Sequence, residues 1–138
     1  MSQSIMSTAT LETLLELSHF LGEENRQLAI LGEGNTSAKI DEETFLVKAS
    51  GSCLRTLTKD DLVSCRFDAL LPMLDHAEMS DQTIEESLLA SRVDRSAKKP
   101  SVETLFHAYL LSLNDVCFVG HTHSCLLYTS PSPRDRSL

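Results

Sequence analysis

Apolar residues Leu11, Leu14, Leu15 and Leu21 recur near helical spacing, with Glu12 and Glu16 on the other side. Ser7, Thr8 and Thr10 offer N-caps and Gly22 a C-terminal stop, so the pattern predicts a packing helix with His19 at its surface or edge. Leu28-Ala29-Ile30-Leu31 is a short apolar run that suits a buried strand, and Gly32-Glu33-Gly34-Asn35 breaks it. A strand over 37–40, an acidic turn at Asp41-Glu42-Glu43 and a strand over 44–47 read as a hairpin. Within it Phe45 and Val47 alternate with Thr44 and Leu46. Ser50-Gly51-Ser52 ends the hairpin, residues 58–61 turn the chain, and a strand follows over 62–67.

Residues 68–74 predict a short helix interrupted by Pro72, and residues 80–92 a helix with Ile84, Leu88 and Leu89 on one face. A polar, basic loop over 91–99 comes next. Ser101 is placed to cap the best helix of the chain, residues 102–113, predicted to bury Leu105, Phe106, Tyr109, Leu110 and Leu113. Asn114-Asp115 then turns into a last strand over 116–121. Helices and strands interleave, which gives an α/β class. No internal repeat or low-complexity tract interrupts the pattern.

With 138 residues the chain is long enough for one core, and 41% hydrophobic with 23% charged residues is ordinary for a globular protein. A net charge of −8 disfavours nucleic acid and anionic membranes as partners. It leaves room for a small anion held in a local pocket of backbone N–H groups. No apolar run approaches a membrane span, and residues 1–10 lack the basic start and apolar centre of a signal peptide, so the expected location is cytoplasmic. Cys53, Cys65, Cys117 and Cys125 show no Cys-x-x-Cys spacing and read as reduced thiols.

The candidate chemistry gathers at Val119-Gly120-His121-Thr122-His123. A His-x-His pair on a strand turns both imidazoles to one face, because side chains alternate with a period of two. Two such rings suit zinc or another divalent metal, and a nearby carboxylate can add a ligand or a base. Alone the motif is more often two polar residues at a strand end. Its surroundings add weight: Gly34-Asn35-Thr36-Ser37 lies in an early loop, Lys48-Ala49-Ser50-Gly51 follows an apolar strand, and Pro100-Ser101-Val102-Glu103 opens the helix leading to the histidines. Gly32-Glu33-Gly34 lacks the third glycine and the strand–helix frame of a dinucleotide site.

In this order the motifs resemble the class II aldolase/adducin family, over residues 11–124. That family includes fuculose-phosphate and rhamnulose-phosphate aldolases and ribulose-phosphate 4-epimerase. The resemblance implies a partial three-layer domain, a central and mostly antiparallel sheet with flanking helices. It implies His121 and His123 as metal ligands, and Glu103 as acid/base and optional ligand. Gly34, Asn35, Ser50, Gly51 and Ser101 would receive the substrate's phosphate. Each of these residues also has a plainer role, as a turn former or, for Glu103, a carboxylate complementing a helix dipole. His107, one turn after Glu103, is expected to be a hydrogen-bonded structural histidine rather than a ligand.

The implied activity is metal-dependent aldol cleavage of a small sugar or sugar phosphate, by a homo-oligomer that is tetrameric by analogy. Alternatives are a sugar-phosphate 4-epimerase, an aldolase-like domain of a larger sugar dehydrogenase, and a non-catalytic adducin-like module. One departure is Val102, where phosphate-handling members usually carry a second Ser or Thr. The third metal histidine and the C-terminal tyrosine of the aldolases lie further downstream in the family. Residues 125–138 resemble a translated sequencing adaptor and read as a non-native tail behind a domain over 1–124. The chain as written is therefore expected to bind zinc weakly and to be inactive.

Overall fold

The computed structural model describes residues 2–23, 34–75 and 79–122. Helix α1 runs over Ser2–Leu21 and starts earlier than its predicted caps, because residues 2–7 contain no Gly or Pro to stop it. It buries Leu14 and Ser18 and leaves His19 exposed at its edge. The apolar run over 28–31 lies outside the described residues.

Four strands form one antiparallel sheet: β1 (Asn35–Lys39), β2 (Thr44–Lys48), β3 (Leu62–Arg66) and β4 (Phe118–His121), in the order β3-β2-β1-β4. The β1–β2 hairpin turns where the acidic triplet predicts. Asp41 Oδ1 accepts from the backbone N–H groups of Glu43 and Thr44, both at 2.8 Å, which replaces the missing ladder bonds. Register sets Ser37 opposite Val47, Val47 opposite Val63, and Asn35 opposite His121.

Helices cover both faces of the sheet. Ser18 of α1 meets Thr36 on one face, while Ser37, the next residue along β1, meets His107 on the other. The second face carries α2 (Phe67–Leu70), α3 (Asp81–Ala90) and α4 (Thr104–Leu111). Here lies the main core, with Phe45, Val47 and Val63 from the sheet against Phe67, Leu70, Leu88, Ala108 and Leu111. Phe45 and Phe67 stack at a tilt with centroids 4.7 Å apart. Pro72 falls near the start of a 3-10 turn, Leu71–Asp75, that follows α2, a position where a missing N–H is tolerated.

Helix α4 corrects the sequence reading. Its buried side chains are Thr104, His107, Ala108 and Leu111, while Phe106, Tyr109 and Leu113 are exposed. Leu105 and Leu110 are half-buried. Apolar residues surround this helix on every side, so spacing alone does not select the buried face. The sheet selects the face with small residues, Thr104 and Ala108, which let the helix approach closely.

Candidate active site

Strand β1, Asn-Thr-Ser-Ala-Lys, is a polar strand placed between two others and buried from Asn35 to Ala38. Burying such groups costs free energy unless each finds a partner. On the α1 face Ser18 Oγ donates to the Leu14 carbonyl at 2.7 Å. Its one proton is then used, so the Thr36 hydroxyl donates to Ser18 Oγ at 2.7 Å. On the α4 face Ser37 Oγ and His107 Nδ1 are 2.5 Å apart. His107 is fully buried, and desolvation, with a smaller contribution from His121, lowers its pKa to about 4. The imidazole is therefore neutral near pH 7, in its expected role as a packed, hydrogen-bonded residue.

Asn35 is the hub of the site. Its Nδ2 donates to Ser101 Oγ and, at 3.3 Å, to Glu103 Oε1. The other oxygen of Glu103, Oε2, lies 3.3 Å from His121 Nδ1. Both side chains are about one-third exposed, at 31% and 29%. Sequence positions 35, 101, 103 and 121 thus meet through three elements: β1, the turn entering α4, and β4. The cross-strand pair Asn35–His121 explains the meeting, since directly opposed residues share a face. Phe106 packs edge-on to His121, with centroids 6.0 Å apart.

Ser101 does not cap α4. Glu103 occupies the N-cap position, and the Ser101 hydroxyl is turned to Asn35 instead. The Glu103 carboxylate at a helix N-terminus and the same carboxylate beside His121 are compatible roles. Asn35 Oδ1, Thr104 Oγ1 and His107 Nε2 are buried and have no hydrogen-bonding partner among the described residues. Three such atoms in one neighbourhood mark it as more than packing.

The second half of the predicted cradle is tied in through the backbone. Ala49 bridges Pro100, and Ser50 N–H donates to the Lys99 carbonyl at 2.8 Å. Ser50 and Gly51 are exposed, and Gly51 and Gly34 have φ of 83° and 84°, a region that favours glycine. Because the Ser50 N–H is already engaged, this turn can offer an anion the Gly51 N–H and the Ser50 hydroxyl. Lys48 stands within the Lys48-Ala49-Ser50-Gly51 motif, where the sequence alone assigns it no role. It is 2% exposed, and its Nζ donates to the Ser52 carbonyl at 2.6 Å. A lysine ending an apolar strand, just ahead of a Ser-Gly turn, is the signal that was available.

His123 lies outside the described residues, and among those described no three metal-ligating side chains converge. Glu103 and His121 nonetheless fit two corners of one divalent ion. Ligand atoms bonded to zinc at about 2.0–2.1 Å stand about 3.3 Å apart on a tetrahedral edge.

Comparison with known proteins agrees with this fold. The family of class II aldolase and adducin N-terminal domains matches residues 12–129. The chain belongs to this family. It is 32% identical over 120 residues to a Bacillus subtilis protein named as the uncharacterized oxidoreductase YuxG, covering 81% of this chain but 17% of that protein. The N-terminal class II aldolase domain of a conserved Thermoplasma acidophilum protein superposes with a TM-score of 0.75 at 29% identity, over 91% of this chain and 62% of that one. YgbL of Klebsiella pneumoniae, titled a putative aldolase/epimerase/decarboxylase, shares the fold at 21% identity and a TM-score of 0.60, over 87% of this chain and 46% of that one. The chain thus spans less than two thirds of each of these relatives. The three-layer arrangement read from the motifs is the fold of the family. Cys53, Cys65 and Cys117 are free thiols, and no described helix is long and apolar enough to cross a membrane.

Proposed function

We propose that this domain belongs to a metal-dependent lyase that cleaves a small sugar phosphate by retro-aldol chemistry. The observation that carries the reading is the Glu103–His121 contact at 3.3 Å, with Asn35 holding the other carboxylate oxygen. His121, His123 and Glu103 would hold zinc or a similar divalent ion. When bound, that ion supplies positive charge against the oxyanion that develops as the carbon–carbon bond breaks.

The chain's own residues supply the rest. Glu103 takes the proton from the substrate hydroxyl and returns it to the carbon left by cleavage. Asn35 fixes the orientation of its carboxylate. Gly51, Ser50 and Ser101 receive the anionic end of the substrate, with Gly34 admitting close backbone approach. Phe106 shields one side of His121 from water. The protein is proposed to act in the cytoplasm as a homo-oligomer.

A second reading is favoured by one observation: a relative at 32% identity is named an oxidoreductase, and this chain matches 17% of it. The domain would then serve a larger sugar dehydrogenase. Assaying the intact gene product against a panel of ketose phosphates, with and without EDTA and nicotinamide cofactor, separates the two. Metal-dependent release of an aldehyde and a three-carbon ketone supports the lyase. Cofactor reduction without cleavage supports the dehydrogenase. Glu103→Gln is expected to lower cleavage by about 10²–10⁴-fold without unfolding the protein. Full turnover in that variant would refute the assignment of Glu103.

A further inference from the structure

Three buried polar atoms beside the site have no partner among the described residues: Asn35 Oδ1, Thr104 Oγ1 and His107 Nε2. All three residues are fully buried. An atom left in this way keeps its whole desolvation penalty, so folded domains pair nearly all of theirs with the chain or with ordered water.

The fold puts the three atoms in one layer. Asn35 and Ser37 are two apart on β1 and face the same side, toward α4, where Ser37 Oγ meets His107 Nδ1. Thr104 and His107 are three apart on α4, and both lie on its buried face. The Glu103 carboxylate only accepts, so the nitrogen of the Asn35 amide turns to it and the oxygen is left to the interior. That oxygen accepts, the Thr104 hydroxyl donates or accepts, and His107 Nε2 does one or the other according to tautomer. Water satisfies this set in either tautomer, because it donates twice and accepts twice. Three polar partners is also the usual coordination of an internal water.

We propose that Asn35, Thr104 and His107 hold one internal water, and that Thr104 and His107 act through it as positioning residues for Glu103. The water ties the Asn35 oxygen to α4, so the amide does not turn over and its nitrogen stays on Ser101 Oγ and Glu103 Oε1. A turned-over amide would set its oxygen against the carboxylate, two acceptors with no proton between them. The chain of contacts then runs from Ser37 through His107 and the water to Asn35 and Glu103. The use made of Glu103 rests on the lyase reading above, and the water site does not.

The test follows the full chain by NMR. Wild type is expected to show a long-lived water with cross-relaxation to the Thr104 methyl and the His107 ring, and Asn35 side-chain amide protons that exchange slowly. Thr104→Val keeps the branched shape and removes the hydroxyl. It is expected to speed exchange of the Asn35 amide protons by about tenfold, and Thr104→Ser to restore the rate to within about threefold. A folded Thr104→Val that exchanges as wild type does would overturn the positioning role. A wild-type chain with no long-lived water at Thr104 and His107 would overturn the whole proposal, and this measurement decides even where Thr104→Val does not fold. Zinc is added last. A bound water with no zinc response at His121 counts against the lyase reading alone. A zinc response without the water counts against the water site alone.

Discussion

Asn35 shows how much one side chain can organise. Its amide joins Ser101 to Glu103, and its backbone position on β1 brings His121 alongside. Asn35→Ala removes both bonds and with them one restraint on the Glu103 carboxylate. It is expected to lower stability by about 1–3 kcal/mol, measured by urea unfolding, and to weaken metal response at Glu103. His107 supplies a pH signature. Unfolded, the imidazole titrates near 6.5, and folded at about 4. Between those values the unfolded chain binds a proton that the folded one refuses. Stability is therefore complete above about pH 6.5, falls as pH drops, and levels off below about 4. The loss is on the order of 3 kcal/mol, and replacing His107 with Gln should flatten that part of the profile. A profile that is equally steep in the variant would assign the acid loss to other groups.

Among the elements, legibility followed the strength of one-sided patterning. The β1–β2 hairpin was readable because Phe45 and Val47 alternate cleanly and Asp41 announces the turn. Helix α3 was readable from Ile84 and Leu88 one turn apart, and the structure adds Ser80 as its cap, accepting from the Thr83 N–H at 3.1 Å. The buried face of α4 was not, since nothing in an all-round apolar helix distinguishes Ala108 and Leu111 from Phe106 and Tyr109 until the sheet is present. The family motifs named the candidate site residues, yet the contacts that join Asn35, Ser101, Glu103 and His121 were not readable from them. That Ser101 serves Asn35 rather than the helix end depends on β1 lying beside that turn, a contact 66 residues apart in sequence. One local feature is sharply testable. Gly22 ends α1 against the 3-10 turn Leu54–Thr56, and a Cβ there would stand 2.3 Å from the Arg55 backbone nitrogen. Gly22→Ala is expected to cost about 1–3 kcal/mol, read as a lower melting temperature.

At the scale of the whole molecule, a sheet with helices on both faces brings the turn entering α4 beside β1 and β4, and Asn35, Ser101, Glu103 and His121 collect on that side. The opposite face, where α1 packs, contributes the Ser18–Thr36 bond that keeps β1 buried and in place. The fold thus holds a polar strand rigid between two layers so that Asn35 and His121 meet Glu103 in fixed geometry. The proposed chemistry needs Glu103 and His121 to answer to one ion. The most direct measurement is a zinc titration of the chain, following the His121 ring nitrogens and the Glu103 carboxylate carbon by NMR. The expected result is that both resonances move together along one binding curve, and that Glu103→Gln weakens the His121 response. A His121 ring that ignores zinc, or that binds it identically without the Glu103 carboxylate, would contradict the account.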